Sequence, residues 1–382
     1  MYSSLKKVYI VAYKFLFNFC YQLGNKLKKH QDEKAVFVLS RTNTLQGNLK
    51  YIHEELKRQL PKVKIHLIRT ENRMNFNLFK ELKTINNAQY LILDDYYLPV
   101  YLIKPSKRLK VIQLWHAAGA FKKFGHSTIG TKFGPSKDYL KLIPIHSNYT
   151  HVYVSSKNTI PYYAEAFNMS QENIYNLGIP RIDMFHDDVL KKCIKGKIYE
   201  SYPILKNSKN IIVLMAPTYR ASGAHEETNF DFIRSLKNIL SEVSEEVLII
   251  LKPHPYMSEE QLNLLGNHSN IIIDNKYFLN DWMLISDAFI TDYSSAIFDF
   301  SILKRPIAHF VPDIYYYEKN RGFYEKINLI SVGDILVSED ELINWIDERE
   351  KNECFDTTKM IKYNFDQTKG ISEKIVQHFI EN

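Results

Sequence analysis

Ala288-Phe289-Ile290, then Thr291-Asp292-Tyr293-Ser294-Ser295, then Ala296-Ile297-Phe298-Asp299-Phe300, is the stretch whose reading decides the fold. The first three residues read as a buried strand, the next five as a polar corner, and the rest as an apolar helix start. A strand that turns directly into a helix is the joint of a parallel α/β sheet, which takes ligands outside the carboxyl ends of its strands. Free N–H groups and the dipole at such a helix start favour a phosphate, and Ser294 or Ser295 adds a hydroxyl donor. A Ser that merely caps the helix accounts for one hydroxyl more easily than for the whole run.

The same joint recurs outward in both directions. Short apolar strands read at 35–39, 63–68, 90–93 and 110–114, and again at 152–155, 211–215, 247–251, 271–273 and 307–310, with helical stretches between them. The 382 residues exceed the roughly 250 to 300 at which one hydrophobic core stops growing, so two α/β halves are expected. The pattern predicts an N-terminal segment at 1–30, a Rossmann-like acceptor domain at 31–177 and a Rossmann-like donor domain at 178–382, with the break at Gly178 and the active site in a cleft between the halves. Helices at 339–348 and 372–379 read as packing elements.

Composition narrows the class. With 45% hydrophobic and 24% charged residues the chain is neither disordered nor a multi-span membrane protein. An excess of 50 Lys and Arg over 43 Asp and Glu suits an anionic partner such as a nucleotide, a phosphate or an acidic lipid. No arginine-rich block, zinc-finger spacing or RNA-binding motif occurs, so no nucleic acid partner is expected. Cys20, Cys193 and Cys354 are far apart and odd in number, which gives no disulfide framework and fits a reducing compartment.

Between Lys6 and Lys29 lies an aromatic run, Tyr9 to Tyr21, interrupted by Lys14. It is too short and too charged to span a bilayer, and Lys26-Leu27-Lys28-Lys29 follows where a signal peptide would carry a small-residue cleavage site. Lysines at 6, 7, 14, 26, 28 and 29 around bulky rings fit a helix lying in the interface of an anionic membrane. An amphipathic helix packed on the protein's own core is the competing reading.

Four more strand ends carry candidate chemistry. Trp115-His116 begins a loop through Gly125 in which His116 can serve as a general base, although a strand-end His also fits a structural role. The 178–183 turn presents Arg181, and Ala216-Pro217-Thr218-Tyr219-Arg220 presents Arg220; either guanidinium suits phosphate oxygens or a surface ion pair. In Lys252-Pro253-His254-Pro255 two prolines frame one His and fix its direction, which favours a catalytic or phosphate-binding role.

Taken in order between Lys110 and Tyr324, the Trp115-His116 loop, the 178–183 turn, Pro217-Thr218-Tyr219-Arg220, His254-Pro255 and the run from Thr291 to Ser295 resemble the CDP-glycerol glycerophosphotransferase family of teichoic acid enzymes. Pro306, Pro312, Asp313, Arg321 and Gly322 extend the resemblance. It implies a GT-B fold, two Rossmann-like domains facing across a cleft with the donor nucleotide on the C-terminal half, and one-sided attachment to the cytoplasmic face of the cell membrane. Many members have Gly-Thr-Pro after the His; here Ala117-Ala118-Gly119-Ala120-Phe121 follows, which is similar to the primase branch.

That branch implies transfer of glycerol phosphate from CDP-glycerol to an undecaprenyl diphosphate-linked N-acetylmannosaminyl-N-acetylglucosamine, with CMP leaving, and leaves room for contacts with other teichoic acid enzymes. On this resemblance His116 is the general base and His254 the second catalytic residue. Thr218, Arg220, Lys252, Asp292, Ser294, Ser295, Asp299 and Arg321 are assigned to the donor, and Trp115, Lys122 and Lys123 to the acceptor. No paired-carboxylate motif is present, so no metal or other cofactor is assigned, while Mg²⁺ accompanying the donor stays open. Cytidine selection rests on the resemblance alone. A glycerol or ribitol phosphate polymerase of the same family, a UDP-sugar-dependent GT-B glycosyltransferase and a non-enzymatic lipid- or nucleotide-binding protein are the alternatives.

Overall fold

The computed structural model describes residues 4–27, 33–131, 134–207, 209–219, 230–266 and 268–382. Among them the strands form two six-stranded sheets, parallel throughout. The first sheet holds β1 (Lys34–Leu39), β2 (Lys64–Arg69), β3 (Tyr90–Leu93), β4 (Lys110–Gln113), β5 (His151–Tyr153) and β6 (Ile174–Tyr175), ordered β2-β1-β3-β4-β5-β6. The second holds β7 (Ile211–Met215), β8 (Val247–Leu251), β9 (Ile271–Ile273), β10 (Ala288–Thr291), β11 (Ile307–Phe310) and β12 (Asp334–Leu336), ordered β12-β11-β10-β7-β8-β9. The α/β architecture with two parallel-sheet domains is therefore as the sequence predicts.

Helices cover both faces of a parallel sheet, so its inner strands must be apolar on both sides. Every residue of β1 and β8 is buried, whereas the edge strand β2, Lys-Ile-His-Leu-Ile-Arg, is mostly open. In the second sheet Val213, Met215, Ile249, Leu251 and Ile290 pack against Leu236 and Ile239 of the helix Phe232–Glu242 and against Trp345 and Ile346 of the helix Glu339–Asp347. Each such aliphatic side chain contributes roughly 1.5–3 kcal/mol by leaving water.

Strand order places the ligand crevices. In the first sheet the chain runs to one side from β1 to β2 and to the other from β3 onward, so the order reverses between β1 and β3. In the second it reverses between β7 and β10. Ligands of open α/β sheets bind at such reversals, beyond the carboxyl ends of the strands. The register Met215 with Leu251 and Met215 with Ile290 brings the loops after β7, β8 and β10 out on one edge.

The chain divides into two units. One runs through Ala117, resumes for Phe124–Asp183 and takes back Phe365–Asn382; the other comprises Ala118–Lys123 and Met184–Asn364. This differs from a single break at Gly178, and the reason is local. The Asp183 carboxylate accepts from Ile371 N at 2.9 Å, Ser372 N at 2.8 Å and Ser372 Oγ at 2.7 Å, which ties the last helix, Ile371–Glu381, to the first unit. Gly178, at φ +108°, passes so close to Ile371 that a Cβ there would lie 2.8 Å from its side chain.

The N-terminal aromatic run is a helix, Ser4–Leu27. One face buries Ile10, Phe17 and Tyr21, with Tyr13 and Phe17 edge-on to Phe79 and with Tyr13 Oη donating to Asn75 O at 2.8 Å. The other face leaves Val8, Val11, Phe15, Phe19 and Leu23 exposed, Phe15 at 74%. Lys28 and Lys29 lie outside the described residues. No helix among the described residues is long and apolar enough to cross a membrane.

Candidate active site

In the first unit the polar groups gather at the reversal between β1 and β3. Trp115, the second residue after β4, adopts φ +51°, a left-handed conformation that is costly for a bulky residue and clusters at functional positions. Side chains hold it there: Trp115 N donates to Gln113 Oε1 at 2.9 Å, and Asn48 Nδ2 donates to Trp115 O at 2.8 Å. Asn48 also accepts from Arg181 N, and Arg181 Nη1 donates to His116 O at 3.3 Å. The twist sets the His116 ring against Trp115, with centroids 4.3 Å apart.

His116 has both ring nitrogens engaged. Nε2 lies 3.0 Å from Arg41 Nη2 and Nδ1 lies 3.0 Å from Asp94 O. A guanidinium only donates, so Nε2 accepts and Nδ1 carries the proton given to the carbonyl. Desolvation, and after it the Arg41 charge, push the His116 pKa down to about 4, against the opposing pull of Asp95. The imidazole is therefore neutral near pH 7, with its lone pair occupied by Arg41. Arg41 Nε is itself paired with Asp95. Beside them Asp94 is pushed up to about 7 by burial and by the Asp95 charge, and its Oδ1 is buried without a hydrogen-bond partner.

The second unit builds a cradle at its own reversal. Buried Asp292 accepts from Thr218 N at 3.0 Å, Thr218 Oγ1 at 2.8 Å and Tyr293 N at 2.6 Å, which locks the loop after β7 to the loop after β10. Behind them the fully buried His309, inside β11, meets Asp292 O at 2.9 Å and Ser331 Oγ at 2.8 Å, and burial pushes its pKa down to about 4. Tyr293 Oη donates to Asp313 Oδ1 at 2.7 Å and its ring stacks on Tyr317 at 3.8 Å. Ser294 and Ser295 stand half-exposed at the rim of this cradle. The helix they precede, Ala296–Ser301, has six residues, so its dipole adds little, and the half-exposed hydroxyls are what this rim can offer a ligand.

His254 follows β8 on the same edge, its ring stacked with Tyr219 at 5.7 Å, and it is held by Tyr256 N donating to Nδ1 at 3.2 Å. Lys252 Nζ donates to Asp274 O at 3.2 Å, and burial lowers its pKa.

The structure thus brings Thr218, Asp292, Ser294, Ser295, His254 and Lys252 to one edge of one sheet, and Trp115 and His116 to the corresponding edge of the other. Arg220 lies outside the described residues. Asp299 is not at the rim: it is buried in its helix and accepts from Asn280 Nδ2 at 2.9 Å. Lys122 and Lys123, expected with the acceptor half, belong to the second unit, where Lys122 bridges to Phe323, Lys123 N donates to Gly322 O at 3.1 Å and Tyr324 N donates to Phe121 O. Gly119 permits this insertion, since at φ +65° a Cβ would meet Phe298 at 2.7 Å. Arg321 ends the helix Ile314–Arg321 beside that bridge. The sequence did not single out Arg41, Asp94, Asp95 or His309; two carboxylates directly after β3 and one His inside an apolar strand were the available signals. Among the described residues no three His, Cys, Asp or Glu side chains are grouped to hold a metal.

Residues 20–378 match the model of the CDP-Glycerol:Poly(glycerophosphate) glycerophosphotransferase family. A teichoic acid ribitol-phosphate primase of Bacillus spizizenii is 39% identical over 81% of this chain and 81% of its own length. A teichoic acid poly(ribitol-phosphate) polymerase of the same species is 31% identical over 96% of this chain, which spans only 59% of that protein. The solved wall teichoic acid polymerase TagF superposes with a TM-score of 0.73 over 100% of this chain and 98% of its own, at 20% identity, and so shares the fold. A family match over nearly the whole chain and a 39% identical relative together decide the class: the chain belongs to the CDP-glycerol:poly(glycerophosphate) glycerophosphotransferase family, transferases of teichoic acid synthesis.

Proposed function

We propose that the protein is a teichoic acid polyol-phosphate primase, moving a polyol phosphate from its CDP-activated form to a hydroxyl of a lipid-linked acceptor and releasing CMP. The observation that carries this is the 39% identity with a ribitol-phosphate primase over four fifths of both chains. It also moves the first choice of alcohol from glycerol, which the sequence resemblance implied, to ribitol. Glycerol stays the second choice because the matching family model is described by glycerol transfer.

The acceptor hydroxyl attacks the polyol-linked phosphorus; the new O–P bond forms as the bond to CMP breaks, and the hydroxyl proton leaves for a base. No covalent enzyme intermediate is needed, so catalysis consists of alignment, proton acceptance and neutralisation of moving phosphate charge. His116 is the proton acceptor, its Nε2 exchanging Arg41 for the acceptor hydroxyl. Relief from the Arg41 charge raises its basicity at that moment. Thr218, Ser294, Ser295 and His254 serve the donor phosphates, with Asp292 holding their loops in place.

The reading is tested by incubating the enzyme with a lipid-linked N-acetylmannosaminyl-N-acetylglucosamine acceptor, with and without one glycerol phosphate already attached, and with CDP-ribitol, CDP-glycerol or UDP-N-acetylglucosamine. One polyol phosphate added per acceptor, with equimolar CMP, is the expected result. A ladder of many additions makes the enzyme a polymerase, and transfer only from the UDP-sugar overturns the phosphotransferase reading.

The N-terminal helix is proposed to hold the enzyme on the cytoplasmic face of the membrane. It binds its own domain through Ile10, Phe17 and Tyr21, so the exposed row Val8, Val11, Phe15, Phe19 and Leu23 is left for the acyl boundary. Phe15→Ser with Phe19→Ser is expected to lower partitioning to anionic vesicles about tenfold or more, as loss of two inserted rings requires. Undiminished co-sedimentation would place the attachment elsewhere.

A further inference from the structure

The second unit carries a basic cavity that the transfer reaction does not use. Its volume is about 550 Å³ and its walls include Lys191, Lys192, Lys195 and Tyr199 of the helix Asp188–Ser201, together with Arg305. Arg305 precedes β11, so the cavity lies where strands of that sheet begin, whereas Thr218, Ser294 and Ser295 lie where strands end. Lys191, Lys195 and Tyr199 are spaced four apart and half-buried, which puts all three on one helix face. Like charges at that spacing weaken a helix by themselves.

Two carboxylates stand near this cluster, against the four cations Lys191, Lys192, Lys195 and Arg305. Asp188 pairs with Lys191 at 2.7 Å and is itself 92% exposed at its side chain. Asp287, the other acid near Lys195, is occupied by Lys351 at 2.8 Å and by Ile212 N at 2.9 Å. Arg305 uses only Nη1, donating to the carbonyls of Met283, Leu284 and Ser286, the last at 2.6 Å. Its Nε and Nη2, and the ammonium groups of Lys192 and Lys195, have no carboxylate partner among the described residues. Burial, with Arg305 and Lys191 close by, lowers the Lys195 pKa against the opposing pull of Asp287, and burial lowers that of Arg305 against the same carboxylate. Desolvated cations of one sign, with free planar donors and a Tyr hydroxyl in a cavity of ligand size, match the tetrahedral oxygens of a phosphate.

We propose that this cavity is a second anion site, taking the phosphate of a phosphomonoester or phosphodiester, separate from the donor cradle of the same unit. The ligand is either a free phosphorylated compound or the headgroup of an anionic lipid, and the two share the chemistry that the cavity reads.

Cys193 sits exposed on the same helix and provides a local reporter. The full-length Cys20→Ser, Cys354→Ser chain, labelled at Cys193 with an environment-sensitive dye, is titrated with inorganic pyrophosphate in the presence of saturating CMP to fill the donor cradle. A saturable change in emission is expected, and Lys191→Gln with Lys195→Gln should weaken it about tenfold or more, since two charged donors are lost. Lys195→Gln alone carries the test if the double variant loses its native melting transition. Vesicles of phosphatidylglycerol against vesicles of phosphatidylcholine then separate the sources: a response to the former that the Lys variants abolish identifies a headgroup, and a response to pyrophosphate alone identifies a soluble phosphate. No saturable response in the unsubstituted chain, or an equal response in both Lys variants, overturns the proposal.

Discussion

The two units solve the same geometric problem in opposite ways. Each has a parallel sheet whose order reverses next to its first strand, and each places its polar corner there, yet the first unit leaves its groups electrically unsettled while the second ties them down. At the β1–β3 reversal Asp94 is raised to about 7 and His116 lowered to about 4, within one network with Arg41 and Asp95. At the β7–β10 reversal Asp292 accepts from both the N–H and the hydroxyl of Thr218 and from Tyr293 N, so its charge is met by donors on both loops. A group that exchanges protons must be poised between states, whereas a group that only holds a phosphate is best made rigid in advance.

The largest expected effect breaks the first half of that comparison. His116→Ala should lower turnover about 10²-fold or more while leaving CDP affinity and the melting temperature nearly unchanged, as befits loss of a positioned proton acceptor. His254→Ala should lower turnover by a similar factor through charge stabilisation and should weaken CDP binding as well. A His116→Ala enzyme with near-normal turnover would remove that residue from the base role. Next in size, Asp292→Asn should destabilise the second unit by about 1–3 kcal/mol in urea unfolding, because buried donors that faced a carboxylate lose charge assistance, and CDP affinity should fall with it. Retained affinity would mean that the cradle does not depend on the lock between the two loops.

Much of this is legible in the amino-acid sequence, and the rest is hidden for physical reasons. Strands such as Val247–Leu251 announce themselves because strands buried on both faces are continuous apolar runs. β6, with two residues, and β12, which begins with an exposed Asp334, carry no such run. Thr218, Ser294 and His116 are legible as polar residues at strand ends, where a parallel sheet receives ligands. Arg41 reads only as part of a polar turn until β1 is known to lie beside β3, and His309 vanishes inside an apolar strand. The placement of Lys122 and Lys123 is non-local: no spacing along the chain shows that Ala118–Lys123 belong with Met184–Asn364, where Lys122 bridges to Phe323. Asp299, between Phe298 and Phe300, is buried with them, and only the packing of its helix reveals it.

A smaller effect sharpens the comparison through pH. The folded pKa of Asp94 lies above its unfolded value, so the native state binds more protons between about pH 4 and 7 and this residue's contribution falls as pH rises through that window. His116 has the opposite sign: its folded pKa lies below the unfolded value, so the unfolded chain binds more protons and stability rises with pH from about 4 to 6.5. Asp94→Asn deletes the first slope and leaves the second. Unfolding free energies from urea titrations across this range should therefore climb more steeply with pH in the variant than in the parent, by up to about 1 kcal/mol per pH unit. Parallel profiles would show that Asp94 titrates as an ordinary solvated carboxylate, and the contrast between an unsettled and a settled reversal would then lose one of its two supports.

The smallest effect tests the second unit's rim rather than its lock. Ser294 Oγ accepts from Ala296 N at 3.2 Å, and the Ser295 side chain makes no capping bond to its helix, so their hydroxyls contribute little to holding the fold. Replacing both with Ala should therefore leave the melting temperature nearly unchanged. If the hydroxyls face donor phosphate, the same change should weaken CDP binding about tenfold or somewhat more, the effect of one lost hydrogen bond to a charged group at the lower end of roughly 1.5–3 kcal/mol. Acceptor binding should not move, and the Asp292→Asn enzyme should show a smaller further loss when the serines are also replaced, because a loop already displaced no longer aims them. Isothermal titration with CDP across the four proteins of this cycle measures the coupling directly. Strictly additive losses would mean that Asp292 stabilises the unit without positioning the serines. Unchanged CDP affinity in the double Ser variant would move the phosphate contacts to Thr218 and His254 on the neighbouring strand ends.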